Sequence, residues 1–228
     1  MGQAKRATLT PDYQRDWPRY FDAVRGMPAR DTLVRALELF EKEDVRPRKT
    51  PRLRTAVDIG CGEGRDLRAM LARAGPTRWI VVGYDASEEA VRRTRAAAGQ
   101  GEGERWWVHQ ASMEDLARVF KNDHEADGSV DLVNASFTLP FCEPRAFPAL
   151  WRWIGRLLKP GGRFAGQFFG DRDEWASVRP RSHRTRAGVK RLLRDFDVEW
   201  LDEVEKDGDD AMGGLKHHHV FHVVAKKR

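Results

Sequence analysis

The stretch Val57-Asp58-Ile59-Gly60-Cys61-Gly62-Glu63-Gly64-Arg65 decides how the rest of the chain is read. An apolar run, Thr55–Ile59, stops at glycines set on alternate positions. Leu67, Met70, Leu71 and Ala74 then follow at helical spacing, with Gly75 as the stop. A strand that turns through glycines into a helix lets backbone N–H groups approach a ligand at the helix N-terminus. The dinucleotide fingerprint G-x-G-x-x-G would need glycine at position 65, where this chain has Arg65, so a dehydrogenase is disfavoured. The spacing is instead G-x-G-x-G, with Asp58 two residues ahead of the first glycine. A second acid, Asp85, closes the next strand about twenty residues past the loop, where a carboxylate can accept both hydroxyls of a ribose.

Downstream, strands and helices alternate. Trp79–Tyr84 (WIVVGY) is a continuous apolar run, as expected of a strand buried on both faces. Ser87 caps a helix whose first turn carries Glu88 and Glu89. Arg105–His109 reads as a strand, and Ser112 with Asp115 three residues on reads as a capping box. Val130–Ala135 is the next strand and Pro144–Leu158 the next helix; Lys159-Pro160-Gly161-Gly162 is a tight turn into the strand Arg163–Phe169. Such alternation requires crossover helices and a parallel sheet covered on both faces. After Asp195 no helix separates Val198–Val204 from Val220–Ala225, which predicts an antiparallel hairpin at one edge. The expected fold class is α/β: a doubly wound, Rossmann-like, mostly parallel sheet ending in a C-terminal antiparallel hairpin.

Upstream, residues 1–27 are polar and Arg-rich but carry Tyr13, Trp17, Tyr20 and Phe21. A helix is predicted from Pro28 to about Asp44, with Leu33, Val34, Leu37 and Phe40 on one stripe. Val45–Arg54 holds two prolines and five basic residues and reads as an exposed linker. The expected division is therefore a helical lid segment and linker over 1–54, then the main domain over 55–228. The N-terminal aromatics either fold over the ligand crevice and exclude water or simply pack on the sheet.

The chain has 228 residues, a formal net charge of +6, 40% hydrophobic and 33% charged residues, which suits one domain with a sizeable core. Cys61 and Cys142 are too far apart in sequence for a disulfide framework or a metal knuckle, so a reducing, cytoplasmic setting is expected. The N-terminus has no apolar signal region, Arg6 breaks a myristoylation motif, and no run is long enough to span a membrane. His217, His218, His219 and His222 invite a metal reading. On a strand, however, they split between two faces, so no metal site is expected. Arg179–Arg194 holds seven basic residues and no acid, and Asp195–Asp210 follows with nine acids and one Lys. That run is either a nucleic-acid footprint or a solvated helix paired with the acidic hairpin beside it; it lacks interleaved aromatics.

Val57–Arg65 resembles the first motif of class I S-adenosylmethionine-dependent methyltransferases. Asp85-Ala86-Ser87 resembles their ribose-binding motif, and Ser112-Met113-Glu114-Asp115-Leu116 the loop that frames adenine. Asp131–Ser136 is similar to the fourth-strand motif, and Leu158–Gly162 to the turn before strand five. The five occur in family order over about Thr55–Phe169. Phe168–Trp175 and Lys216–Lys227 resemble, within that superfamily, small bacterial enzymes near the tellurite-resistance methyltransferases. The resemblance implies a seven-stranded sheet with its last strand antiparallel. It also implies S-adenosyl-L-methionine as cofactor, with S-adenosyl-L-homocysteine as product.

Carried onto this chain, Asp58, Gly60, Gly62 and Gly64 would hold the methionine portion, and Asp85 with Ala86 the ribose. Met113 and Glu114 would frame the adenine, and Asn134 and Ala135 would sit at the crevice over strand four. Structural alternatives stay open: Asp58 fixing its turn, Glu114 and Asp115 serving the helix start, Asn134 as a hydrogen-bonded core residue. The implied reaction is methyl transfer by in-line displacement. Tyr20, His109 and His183 are the candidate bases, and the sequence does not choose among them. Asn134-Ala135-Ser136-Phe137 departs from the Asn-Pro-Pro-Tyr signature of DNA and glutamine amino-methylating enzymes, which favours a small-molecule acceptor. The alternatives are an RNA- or protein-modifying enzyme using the 179–194 run, or a non-catalytic binding module. The expected state is a monomer or homodimer with no membrane partner.

Overall fold

β1 (Arg52–Ile59) pairs in parallel with β2 (Thr77–Asp85) on one side and β4 (Val130–Ala135) on the other, and the sheet grows outward from these two ladders. The structure, a computed structural model, describes residues 16–45, 50–98, 104–122, 124–178 and 181–228; Tyr13 and Arg179 lie outside the described residues. β3 (Trp106–Gln110) lies beyond β2, and β5 (Leu158–Gly170) beyond β4, again parallel. β8 (Leu215–Lys227) runs antiparallel to β5 and to β7 (Phe196–Asp209), giving the order β3-β2-β1-β4-β5-β8-β7. The chain builds outward from β1 in one direction and then restarts at β4 in the other. The ends of β1 and β4 thus form the switch point at which open α/β sheets leave a crevice.

The doubly wound sheet and its terminal hairpin are as expected. The strand count is eight rather than seven, because the two-residue β6 (His183–Arg184) pairs with Phe169 and Gly170 at the end of β5. Two residues inside a basic run leave no periodic signal.

Helices cover both faces: α2 (Asp31–Asp44), α3 (Arg65–Ala72) and α4 (Glu88–Ala98) come early, α5 (Met113–Val119), α6 (Phe147–Leu157) and α7 (Arg186–Leu192) later; α1 (Trp17–Ala23) precedes them. Alternation sorts the core. On β4, Leu132 joins Leu33, Leu37, Phe40, Leu67, Met70 and Trp79 on one face. Its neighbour Val133 joins Leu150, Ile154, Phe164 and Phe221 on the other. Each such side chain contributes about 1.5–3 kcal/mol on full burial. α2 therefore belongs to the core of the sheet.

Several boundaries differ from the sequence reading for local reasons. α2 starts at Asp31, not Pro28, with Arg30 as N-cap and Asp31 as the acid of its first turn. α6 starts at Phe147, not Pro144, and Pro148 takes the first-turn position that needs no N–H donor. Lys159–Gly162 is absorbed into β5 as an irregularity, with Gly161 at φ +81 and a register shift opposite Val130/Leu132. β1 begins at Arg52, inside the expected linker, because Arg54 is not exposed. Its guanidinium donates to both oxygens of Asp44, at 2.7 and 2.9 Å, and to Asp131 at 2.9 Å. β7 and β8 extend further than the apolar runs suggest, since acids on one face histidines on the other, Asp207 opposite His217 and Glu205 opposite His219.

Candidate active site

The glycine loop is a set of backbone constraints. Gly60 and Cys61 donate to the Tyr84 carbonyl at 2.7 and 3.0 Å, and Gly64 donates to the Cys61 carbonyl at 3.0 Å. Gly62 donates to Asp85 Oδ2 at 2.9 Å, while Asp85 Oδ1 accepts from Ser87 N–H at 2.9 Å. Asp85 thus ties the loop to the tip of β2 and keeps lone pairs on both oxygens for further donors. Burial pushes its carboxyl above the usual range, and the two backbone donors pull against that. Gly60 is required twice over: its φ is +66, and a Cβ there would lie 2.0 Å from Thr138 Oγ1.

Beneath the loop, Asn134 on β4 is fully buried and holds two acids. Its Nδ2 donates to Asp58 Oδ1 at 2.8 Å and lies 3.1 Å from Asp66 Oδ2. Asp66 Oδ1 accepts from Arg30 N–H at 3.2 Å, which joins the start of α2 to the start of α3. Asp58 Oδ2 is buried and has no hydrogen-bond partner. Burial pushes the Asp58 carboxyl well up, Asp66 raises it further, and the Asn134 amide and Arg65 only partly offset this. Arg65 Nε sits 3.5 Å from Asp66 Oδ1 as an ion pair, yet neither Nε nor Nη1 makes a hydrogen bond.

Asp58, the loop Gly60–Glu63, Arg65, Asp66 and Asp85 line a cavity of about 470 Å³, within the ~300–1,000 Å³ usual for small-molecule sites. Trp17, Tyr20 and Phe21 of α1, with Val24 after it, also line the cavity. Phe21 lies against the loop, close enough that a Cβ on Gly62 would be 3.4 Å from its ring. The helix is held from α4, where Arg93 reaches Asp22 at 2.6 Å and lies over the Phe21 ring at 5.7 Å. The capping box of Ser112 and Asp115 forms as expected and presents Met113 and Glu114 to the cavity. Glu114 Oε1 accepts from Glu143 N–H at 2.8 Å. Past β4, Phe137 adopts φ 54, a left-handed backbone for a bulky residue. Gln167 holds it there by accepting its N–H at 2.9 Å while donating to Thr32 at 3.0 Å.

Of the residues singled out from sequence, Asp58, Gly60, Gly62, Asp85, Ala86, Met113, Glu114 and Tyr20 line this cavity together. Gly64, Asn134 and Ala135 do not. Gly64 turns into α3 at φ +79 against Thr94, and Asn134 and Ala135 are buried on β4. His109 is exposed at the end of β3, outside the lining. His183 is also outside the lining, with its ring 5.8 Å from that of Phe169. Burial lowers the pKa of His183, with Arg181 and Lys216 adding to the effect against Asp173.

Sequence reasoning missed Arg65 as a site group, and also Ser136, Thr138 and Phe141. Arg65 was visible as the residue that breaks the dinucleotide fingerprint. Phe141 had no signal, lying on a short 3-10 turn, Leu139–Phe141.

Histidines of β8 and one arginine of the basic run pair with acids of the hairpin. His217 meets Asp207 at 2.7 Å, buried His219 meets Glu203 at 3.0 Å, and Arg186 on α7 pairs with Glu203. Among the described residues no three His, Cys, Asp or Glu side chains are grouped to hold a metal ion. Cys61 and Cys142 are both buried as free thiols. No helix among the described residues is long and apolar enough to cross a membrane.

Residues 56–162 match the family model described as a methyltransferase domain. No curated protein matches the sequence. Solved structures share the fold. TehB from Haemophilus influenzae aligns at TM-score 0.67 with 14% identity, over 93% of this chain and 67% of its own. The 1,6-didemethyltoxoflavin-N1-methyltransferase of Burkholderia thailandensis, solved with 1,6-didemethyltoxoflavin and S-adenosylhomocysteine, aligns at 0.60 with 20% identity over 98% and 93%. A Haemonchus contortus N-methyltransferase in complex with phosphomonomethylethanolamine and S-adenosylhomocysteine aligns at 0.64 with 16% identity over 92% and 56%.

Proposed function

We propose that this chain is a class I S-adenosylmethionine-dependent methyltransferase whose acceptor is a small molecule bound beneath α1; the methyltransferase-domain match over residues 56–162 and the shared fold support the first part of that reading. The observation that carries this is the charge of the cavity wall. Among the described lining residues, Asp58, Glu63, Asp66, Asp85 and Glu114 are acids, and Arg65 is the one base. An acidic, partly enclosed wall favours a cationic sulfonium and opposes a polyanion such as RNA. The small ligand in the Burkholderia enzyme, which this chain matches over 98% of its length, is in keeping with that reading.

The residues present fit the cofactor on two counts. Asp58 Oδ2 and Arg65 Nε and Nη1 are unsatisfied polar atoms of opposite charge on one wall. Such a pair is complementary to a zwitterionic α-amino-acid group, with Asp58 taking the ammonium and Arg65 the carboxylate. Asp85 keeps acceptor capacity toward a ribose diol, and Met113 offers a soft packing surface to a purine ring.

When bound, S-adenosylmethionine supplies a methyl group already activated by its positive sulfur. The protein's share is then placement. The glycine loop sets the depth of the site, the acids and Arg65 set its polarity, and α1 keeps water from the reacting line. Isothermal titration with S-adenosylhomocysteine and S-adenosylmethionine, with NADH for comparison, tests this. Micromolar-range binding weakened tenfold or more by Asp85→Ala is expected, about 1.4 kcal/mol. A folded protein that binds neither adenosyl ligand would refute the assignment.

A further inference from the structure

Resting on the methyltransferase reading above, we infer that the acceptor is an uncharged planar heteroaromatic ring whose nucleophilic atom carries its own free lone pair, a pyridine-type nitrogen above all. The sheet order separates the two ends of the cavity. Asp85 stands at the tip of β2, on one side of the β1 glycine loop, and Phe137 and Phe141 follow β4, on the other side. The β4 end is therefore the acceptor end, and it is aromatic. Phe137, Phe141, Trp17 and Tyr20 are half-buried rings that line it. Trp17 meets Phe141 edge to face at 5.3 Å and 73°, so α1 and the β4 side face one another through rings. Walls of this kind take up a flat π-system by offset stacking and edge contacts.

Charge narrows the class further. A phosphate or carboxylate acceptor would need a cation in the lining. Among the described lining residues the one cation, Arg65, stands at the β1 loop, where Asp66 pairs with it. The guanidiniums of Arg30 and Arg181 lie over the Phe137 and Phe141 rings, but neither residue lines the cavity. An aliphatic amine or an alcohol would need a base. Among the described residues no His or Lys lines the cavity, Asp58, Glu63, Asp66 and Asp85 stand on the β1 and β2 side of it, and Glu114 is tied to the Glu143 backbone. Tyr20 brings a phenol to the lining, a hydrogen-bond donor and acceptor.

A ring nitrogen needs no deprotonation. Its lone pair forms the bond to the methyl carbon while the carbon–sulfur bond breaks and leaves its electron pair on sulfur. The products are the neutral thioether and an N-methylated ring cation. The positive charge passes from sulfur to the ring, and the five acids of the wall attract the new cation as they attract the sulfonium.

The test is calorimetric titration of the protein saturated with S-adenosylhomocysteine, using isoquinoline and quinoxaline as planar probes and phosphoethanolamine and cyclohexylamine as rivals. Saturable binding of a planar probe is expected. Phe141→Ala and Trp17→Ala should each weaken it tenfold or more while S-adenosylhomocysteine affinity, also the check on folding, stays within about threefold. Three outcomes overturn the inference: no saturable binding by either planar probe, tighter binding by either rival, or planar-probe affinity unmoved in both variants. Failure to bind S-adenosylhomocysteine at all would instead strike the methyltransferase reading on which the inference stands.

Discussion

Among the described residues, Asn134 is the side-chain donor shared by two buried carboxyls, 2.8 Å from Asp58 Oδ1 and 3.1 Å from Asp66 Oδ2. The amide lets two acids sit side by side under the glycine loop. Asn134→Ala leaves both without that donor, and Asn134→Asp adds a third carboxyl to the cluster. Losing one member of a buried charged network costs about 3–5 kcal/mol. Urea denaturation near neutral pH should show a loss of that order for Asn134→Asp and a smaller one for Asn134→Ala. A loss below about 1 kcal/mol in both would mean the cluster is not organised by Asn134.

Asp58 sets local stability against ligand binding. Its folded pKa is raised, chiefly by burial and then by Asp66. A group raised in the folded state binds its proton more tightly there than in the unfolded chain. Its contribution is therefore fully present below the unfolded carboxylate range and is lost as pH climbs through the raised value. Asp58→Asn carries no such loss and still accepts from Asn134. The variant is expected to match or exceed the parent's stability at pH 7 while binding S-adenosylhomocysteine at least tenfold more weakly. Parent affinity should rise with pH across the Asp58 titration, and the variant should show no such rise. Equal affinity of the two proteins at pH 7 would remove Asp58 from the binding groups.

Gly60 and Gly26 separate backbone strain from collision. Both have positive φ, +66 and +75, but a Cβ on Gly26 meets nothing within 4 Å whereas one on Gly60 strikes Thr138. Gly26→Ala should cost about 1–2 kcal/mol, the left-handed penalty alone. Gly60→Ala should cost clearly more, and Gly60→Ala/Thr138→Ala should recover the collision but not the strain. Thermal unfolding of the three variants checks the order. Equal costs at the two glycines would show that the loop yields to Thr138.

What was legible in the sequence was what depends on neighbours along the chain. The run Thr55–Ile59, the glycines after it, the Ser112–Asp115 box and the acids after Ser87 all act within a few residues, and each formed. The hairpin's direction was legible because no helix could fit between its strands. The cavity's far wall was not. Trp17, Phe137 and Phe141 converge from α1 and from two turns beyond β4, and periodicity tells which face a residue takes, not how deep it sits. Asn134 shows the same limit, for its place at the C-terminal end of β4 suggested a ligand while its depth gives it to Asp58 and Asp66. Arg163 reads as the polar start of a strand, yet it is 2% exposed, because Glu43 and Glu199 reach it from α2 and β7.

That buried arginine governs the acid limb of stability. Arg54 and Arg163 lie over the Phe40 ring at 4.3 and 4.4 Å, and Arg163 Nη2 donates to Glu43 at 2.7 Å and to Glu199 at 2.8 Å. Burial pushes Glu43 up, but hydrogen bonds from Arg163 and Lys226 outweigh it and hold the carboxyl at about 2. A depressed folded pKa means stability that is present above the unfolded value near 4.5 and lost as pH falls from there toward about 2. Glu43 is partly exposed, so solvent screening trims the contribution to about 1–2 kcal/mol. Glu43→Gln should therefore destabilise the protein by that amount at pH 7, by less at pH 4, and by nearly nothing at pH 2. Because the network lies at the N-terminal edge of the strands, away from the cavity, S-adenosylhomocysteine affinity at pH 7 should not change. Urea midpoints across that pH range supply the check. A Glu43→Gln penalty that does not shrink with acid would show that Glu43 acts through packing and not through its charge.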